Sequence, residues 1–236
     1  MSKSTSVITF SGIDGAGKST QIAALKSWLI QENLQIECLT FWDDVVMFSR
    51  LREFLSAKAF KGDQGIGSPE KPLHRRDKNV TAWPLIFVRF FLYLADCINL
   101  RRVVSKAGRT RADVVIFDRY IYDELANLPL DQSLTRIFCR LVLKLSPKPD
   151  AALLIDADPE AAQARKPEYP LDFLYRNRSA YLALSALARE IVVIGPLTVE
   201  ATESAMKEVV LTKLSRSEPA LGAFPQMQRR SRSSVK

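Results

Sequence analysis

A run of glycine, lysine and serine near the N-terminus has the residue types and spacing of a phosphate-binding loop. Residues 12–19 read GIDGAGKS and fit the pattern G-x-x-x-x-G-K-[ST]. In such a loop the backbone N–H groups turn toward phosphate oxygens, the lysine reaches the terminal phosphates, and the serine hydroxyl is a ligand for Mg²⁺. The pattern therefore predicts that a nucleoside triphosphate and Mg²⁺ bind at Gly12, Asp14, Gly15, Ala16, Gly17, Lys18 and Ser19.

The elements on either side of this loop determine whether the pattern is meaningful. The apolar, β-branched run Ser6–Gly12 predicts a buried strand, and the apolar spacing of Ser19–Gln31 predicts a helix. A loop between a strand and a helix places the phosphates at the helix N-terminus, where the helix dipole favours negative charge. The alternative, a glycine-rich turn without a ligand, is the weaker interpretation.

A second pair of polar residues follows a predicted strand further along the chain. Ala112–Asp118 reads as a buried strand that ends in Asp118, and Arg119 comes next. Ligands collect at the carboxyl ends of parallel strands, so Asp118 is a candidate Mg²⁺ ligand and Arg119 a candidate phosphate ligand. The structural alternative is a helix N-cap aspartate beside a solvated arginine. The presence of Lys18 favours the functional interpretation.

Strands and helices alternate along the rest of the chain, which predicts an α/β fold with a parallel sheet covered on both faces. Further strands are predicted over Gln35–Phe41, Ala151–Asp156 and Ile191–Gly195. The most apolar segment, Pro84–Leu100, contains Arg89 and Asp96 within 17 residues, so we expect a packed helix and no membrane span.

Composition indicates one folded domain, expected over residues 1–213, followed by a basic tail over 214–236 that we expect to be disordered. The net charge is +8, and residues 213–236 carry six Lys or Arg against one Glu. A basic tail can contact nucleic acid or anionic lipid, but the domain itself gives no reason to expect an obligate nucleic-acid partner. Three scattered cysteines, without a signal peptide, indicate reduced thiols and a cytoplasmic location.

Several stretches resemble thymidylate kinases. These are ITFSGIDGAGKSTQ from Ile8, FDRYIY from Phe117, the Asp158–Pro159–Glu160 triplet and RNRSAYLAL before Ser185. The resemblance implies a P-loop NTPase three-layer sandwich whose five-stranded parallel sheet has the order 2-3-1-4-5. It also implies an enzyme that transfers the γ-phosphoryl group of ATP to dTMP with Mg²⁺ and a mobile lid. A homodimer formed through the long apolar helix is a further implication.

The resemblance also implies roles for individual residues. Asp14 would accept a hydrogen bond from the sugar 3′-hydroxyl of the acceptor nucleotide, and Thr20 would join Lys18 and Ser19 in holding ATP and Mg²⁺. Arg119 would contact the phosphates where donor and acceptor meet. Tyr93 would stack on thymine, and Arg165 would begin the lid. We therefore predict Lys18, Arg119 and Arg165 as the catalytic cations, and Asp14, Arg89, Tyr93 and Arg119 as contacts to the substrate.

The acceptor end departs from the family pattern at two positions where the family carries a cation for the acceptor phosphate. Thr40 or Phe41 stands at the first of these positions, and Cys97 or Asp96 at the second. Other cations could compensate for the loss. The candidates are Arg75, Arg76 and Lys78 in the loop over residues 61–80, and Arg89 in the apolar helix.

Two other functions stay open from the sequence alone. In the first, the acceptor is a hydroxyl group of a nucleoside or another small molecule, with Asp43 or Asp44 as the base. The structural alternative for these two acids is the N-cap and first turn of the following helix. In the second, the chain is a degenerate ATP-binding module, against which the intact Lys18, Ser19 and Asp118 argue.

Overall fold

The computed structural model describes residues 5–47 and 83–217 of the 236. The predicted loop over 61–80, with Arg75, Arg76 and Lys78, lies outside the described residues, as does the tail from 218. The strands are β1 (Ser6–Ser11), β2 (Ile36–Thr40), β3 (Val114–Asp118), β4 (Ala151–Ile155) and β5 (Ile191–Ile194). The helices are α1 (Lys18–Gln31), α2 (Trp83–Ala107), α3 (Ile121–Leu125), α4 (Ser133–Leu145), α5 (Pro159–Arg165), α6 (Leu171–Leu187) and α7 (Val199–Ser217).

The five strands form one parallel sheet in the order β2-β3-β1-β4-β5, which confirms the predicted topology. In the register of this sheet, Asp118 at the end of β3 lies beside Phe10 of β1 and Thr40 of β2. Strand β1 therefore ends between β3 and β4, and the loop that follows it opens at the carboxyl edge of the sheet. This edge is where ligands bind in open parallel sheets.

Burial explains why these segments form the sheet. Every residue of β1 and β4 is buried, and β3 is buried except at Asp118. A strand buried on both faces requires cover on both faces of the sheet, and the β-branched and leucine-rich sequences supply the apolar contacts. Helices α1 and α7 pack against each other and against the strands, while α2 packs against α3 and α4.

Two helices are longer than the sequence predicts. Helix α2 continues to Ala107, well beyond the expected end at Leu100, and α7 continues to Ser217, past the expected domain boundary at 213. The short helix α5 begins at Pro159 because the Asp158 carboxylate accepts a hydrogen bond from the Ala161 N–H at 3.0 Å and Pro159 fits the first helical position.

In the described part of the chain no helix is long and apolar enough to span a bilayer. All three cysteines are free thiols.

Asn33 ends helix α1 in a left-handed conformation, with φ of 62°. Its N–H donates to Ile30 O at 2.9 Å, and the N–H of Leu34 donates to Leu29 O at 3.1 Å, so the turn is a Schellman motif. Leu34 is buried, which directs the chain back toward β2.

We predict that Asn33→Ala lowers the free energy of unfolding by about 1 kcal/mol, because alanine lacks the local hydrogen bonding that makes the left-handed region accessible to asparagine. Asn33→Gly is the matched control and should be as stable as the natural chain or slightly more stable. Urea unfolding measures both values. Equal stability of the alanine and glycine variants would contradict the assignment.

Candidate active site

The loop between β1 and α1 wraps closely against two other elements. Gly12 and Gly15 have φ of 140° and 80°, and a Cβ at these positions would lie 2.4 Å from Ile155 O and 2.3 Å from Ala162 O. Gly17, with φ of 90°, has open space around it and precedes the first residue of α1. The first two glycines are therefore required for packing against β4 and α5 as well as for loop conformation, and Gly17 is required for conformation alone.

The side chain of Lys18 points into the loop. Its Nζ donates to Gly12 O and Ile13 O, both at 2.9 Å, and the residue is buried. Burial, followed by the positive charge of Arg119, lowers the pKa of Lys18 to about 8, although Asp14, Asp123 and Asp118 oppose the shift. The amine is thus held inside a ring of backbone groups, as the sequence pattern predicts for a ligand of the terminal phosphates.

Ser19 and Asp118 are the residues predicted to hold Mg²⁺. Ser19 is exposed in the first turn of α1, and Asp118 is half-buried at the carboxyl edge of the sheet, next to β1. Among the described residues no group of three metal-binding side chains occurs. This donor set suits Mg²⁺, which is held by one or two hard oxygen ligands together with substrate phosphates and water.

Arg119 lies between two carboxylates at the same edge. Its backbone is left-handed, with φ of 67°, and its N–H donates to Phe10 O at 2.9 Å. Nη2 donates a hydrogen bond to Asp14 Oδ1 in an ion pair, and Nη1 donates to Asp123 Oδ1 at 3.2 Å. Burial opposes the charge, but Asp123, Tyr181, Asp14 and Asp118 outweigh burial and raise the pKa of Arg119. The guanidinium is charged throughout the accessible pH range.

Sequence reasoning missed Asp123 and Tyr181. Tyr181 donates to Asp123 Oδ1 at 2.7 Å, and burial, followed by the charge of Asp123, raises the pKa of Tyr181 well above its ordinary value. Asp123 follows Arg119 by four residues and stands in the first turn of α3, a spacing at which an acid and an arginine can pair. That spacing was the available signal, whereas the contact with Tyr181 comes from tertiary packing alone.

Arg165 lies at the end of the short helix that covers the loop. The backbone of Ala162 in α5 contacts Gly15, and Arg165 follows Ala162 by three residues, so both lie on the same side of α5. Arg165 is exposed, and its neighbour Lys166 pairs with Glu168 at 3.3 Å. The predicted lid cation therefore stands about one helical turn from the phosphate-binding loop.

The predicted contacts to the acceptor base lie in α2. Tyr93 is buried, its ring packs against Phe138 with the centroids 6.4 Å apart, and its hydroxyl donates to Glu124 O at 3.2 Å. Arg89 lies one turn earlier in α2, is half-buried and interacts with other groups of the protein. The stacking role of Tyr93 and the phosphate role of Arg89 stay predictions.

The two positions without the family's cations have structural roles. Asp96 is fully buried and accepts a hydrogen bond from the Met47 N–H at 2.9 Å, and the Cys97 thiol contacts Ser146 Oγ at 3.1 Å. Phe41 begins a π-helical turn that ends at Val45 and is fully buried. Asp96 thus fixes the chain after β2 against α2, and Cys97 joins α2 to the end of α4.

Asp43 and Asp44, the candidate bases for a hydroxyl acceptor, lie in this π-helical turn. Asp44 Oδ2 accepts a hydrogen bond from the Thr40 N–H at 2.7 Å, and both acids are exposed. Asp44 thus closes the turn after β2, in keeping with the structural alternative for these residues.

Comparisons with known proteins point to one family, although no family model matches the chain. The chain is 31% identical over 188 residues to a protein named probable thymidylate kinase from Pyrobaculum aerophilum, covering 76% of this chain and 82% of that protein. It is 26% identical over 200 residues to a protein of the same name from Methanosphaera stadtmanae, covering 82% and 90%. Among solved structures, thymidylate kinase from Ehrlichia chaffeensis has the same fold, with a TM-score of 0.55, 19% identity and coverage of 88% and 98%.

The depressed pKa of Lys18 predicts how its replacement changes stability with pH. Below pH 8 the folded chain carries a charged, buried amine, which costs stability, and the cost disappears as the pH rises from 8 toward the ordinary value of 10.5. The stability of Lys18→Met relative to the natural chain should therefore fall by about 3 kcal/mol between pH 7 and pH 10.5.

Chemical unfolding at several pH values measures this difference, in which the titrations common to both chains cancel. Lys26→Met, at an exposed lysine of the same helix, is the control for the loss of a lysine side chain from α1. A constant difference between Lys18→Met and the natural chain would show that the amine is not desolvated.

Proposed function

The chain belongs to the thymidylate kinase family, and we propose that it transfers the γ-phosphoryl group of ATP to dTMP, giving dTDP and ADP. The observation that carries the proposal is the convergence of the Lys18 amine, the Arg119 guanidinium and the glycine loop at the end of β1. A buried and a half-buried cation beside a glycine-rich loop at a helix N-terminus form an environment for a polyphosphate.

The proposed catalysis is positioning and neutralisation of charge. The loop over residues 12–19 binds the β- and γ-phosphates through its N–H groups, and Lys18 Nζ leaves the loop carbonyls to contact them. Arg119 contacts the phosphates where donor and acceptor meet. Arg165, three residues after Ala162 in α5, contacts the transferring group. These cations stabilise the charge that spreads over the transferred group.

The residues at the edge of the sheet fit a resident Mg²⁺ ion. Ser19 and, through water, Asp118 would hold it, with Thr20 beside them. When bound, the ion would neutralise negative charge on the β- and γ-phosphate oxygens. Asp14 would accept a hydrogen bond from the acceptor sugar, Tyr93 would stack on its base, and Arg89 would contact its phosphate. An acceptor phosphate oxygen requires no strong general base, consistent with the structural role of Asp44.

We predict that the purified chain with ATP and Mg²⁺ converts dTMP to dTDP, detected by chromatographic separation of the nucleotides. Other nucleoside monophosphates and thymidine are tested in parallel. Product from thymidine alone would indicate a kinase of a hydroxyl acceptor, and ATP binding without any phosphorylated product would indicate an inactive module. Either result would contradict the proposal.

In the same assay, Lys18→Ala should lower the rate of dTDP formation by at least about 100-fold, because the phosphates lose their buried cation. Lys26→Ala is the matched control on the exposed side of α1 and should keep the natural rate. Retained activity in Lys18→Ala would remove the glycine loop from the mechanism.

The exposed apolar surface on α2 and α4 supports a homodimer. Helix α4 carries an apolar stripe on its outer side, at spacings of three or four residues, and α2 carries a second one. The stripe residues are Phe87, Phe91 and Ile98 on α2, and Leu134, Ile137, Leu141 and Leu145 on α4. The two helices are neighbours, since the ring centroids of Phe90 and Phe138 lie 4.5 Å apart. We propose that a second copy of the chain covers this surface in a two-fold symmetric contact.

We predict a dimer by sedimentation velocity, and a shift to monomer in Ile137→Lys, since Ile137 is 60% exposed in the α4 stripe and a lysine there would be buried at the contact. Arg136→Ala, on the same helix but outside the stripe, is the control. A monomeric natural chain, or an Ile137→Lys variant that stays dimeric, would contradict this interface.

A further inference from the structure

The carboxylate of Asp123, close to the site, accepts four hydrogen bonds. Its Oδ2 accepts from Ser11 Oγ at 2.6 Å and from the Tyr120 N–H at 2.9 Å. Its Oδ1 accepts from the Tyr181 hydroxyl at 2.7 Å and from Arg119 Nη1 at 3.2 Å. The donors come from β1, from the segment between β3 and α3, and from α6, so the carboxylate is fixed from three directions.

The two acids that contact Arg119 differ in their surroundings. The side chain of Asp123 is 4% exposed, that of Asp14 is 13% exposed, and that of Arg119 is 21% exposed. Nη1 thus faces the more buried acid, and Nη2 faces the more exposed acid, Asp14, in the glycine loop. A partner on the open side can be exchanged for a ligand oxygen at lower cost than a partner in the interior, because breaking a buried pair leaves an uncompensated charge.

We propose that Asp123 is a positioning residue that holds Arg119 Nη1 as a fixed anchor while Nη2 exchanges Asp14 for a phosphate oxygen. The inference rests on the proposed function, in which Arg119 contacts the phosphates. It assigns Asp123 no contact with substrate. Three fixed donors hold the carboxylate independently of Arg119, so its position does not change when the guanidinium changes partners.

The backbone of Arg119 explains why an anchor is required. A left-handed φ of 67° is unfavourable for a residue with a long side chain, and the hydrogen bond from its N–H to Phe10 O holds it there. This backbone fixes where the side chain begins, and several rotatable bonds still separate it from the guanidinium. The hydrogen bond to Asp123 restricts rotation about these bonds, so the Arg119 side chain loses less conformational entropy when the phosphates bind.

The first test is Asp123→Asn in the full chain. Asparagine keeps an oxygen for Ser11 or Tyr120 but removes the charge that orients Arg119. We expect kcat for dTDP formation to fall about 10- to 100-fold, as for the loss of one charge-assisted hydrogen bond, and KM for ATP to change by less than about threefold. Asp113→Asn is the matched control, because Asp113 is equally buried but precedes β3 at the opposite edge of the sheet. It should keep the natural kcat.

The second test separates positioning of Arg119 from an independent effect on the fold. If Asp123 acts through Arg119, the double variant Arg119→Ala with Asp123→Asn should be no slower than Arg119→Ala alone. Rate losses that multiply in the double variant would overturn the inference. Should Asp123→Asn fail to fold, Tyr181→Phe removes one of the fixed donors, and its smaller loss, about 3- to 10-fold, should also vanish in the Arg119→Ala background.

Failure of this inference differs from failure of the proposed function. A natural chain that makes no dTDP contradicts the proposed function itself. If Arg119→Ala keeps the natural kcat, Arg119 has no role in the mechanism, and Asp123 has no positioning role either. A slow Arg119→Ala variant together with a natural kcat in Asp123→Asn overturns the positioning role alone.

Discussion

Two positive charges at the carboxyl edge of the sheet, on the buried Lys18 and the half-buried Arg119, are the constraint on which the rest of the site depends. Burial lowers the pKa of Lys18, and the positive charge of Arg119 lies close enough to lower it further. Charges of this kind persist only where acids and backbone carbonyls compensate them. Asp14, Asp118 and Asp123 supply the negative charge, and Gly12 O and Ile13 O accept the hydrogen bonds of the amine. A polyphosphate would take over part of this compensation.

The sheet order brings these groups together. Because β1 lies between β3 and β4, the loop after β1 has Asp118 and Arg119 on one side and the end of β4 on the other. The close approaches of Gly12 to Ile155 O and of Gly15 to Ala162 O fix the loop against β4 and α5. A side chain at either glycine would have to displace a backbone carbonyl, so the shape of the loop is set by its neighbours as well as by its own sequence.

Local patterns in the sequence were sufficient for the strands and for the first residues of the site, whereas the strand order was implied by the family resemblance. The apolar runs predict all five strands, and the glycine spacing predicts the loop, because both are properties of neighbouring residues. The contact of Asp123 with Tyr181 joins residues 58 positions apart, and the contact of Asp96 with Met47 joins residues 49 apart. No local period encodes such pairs. Helices α3 and α5, with five and seven residues, are too short to show an apolar period and depend on caps and tertiary contacts.

Helix α6 connects the parts of the site that the loop does not reach. Arg178 makes a two-pronged pair with Asp156, with both contacts at 2.7 Å, which ties α6 to the end of β4. The Tyr175 hydroxyl donates to Glu160 at 3.2 Å and so contacts α5, the helix that ends in Arg165. Tyr181, further along α6, contacts Asp123 and through it Arg119. Through Glu160 and Asp123, helix α6 therefore contacts both the helix that ends in Arg165 and the acid that pairs with Arg119.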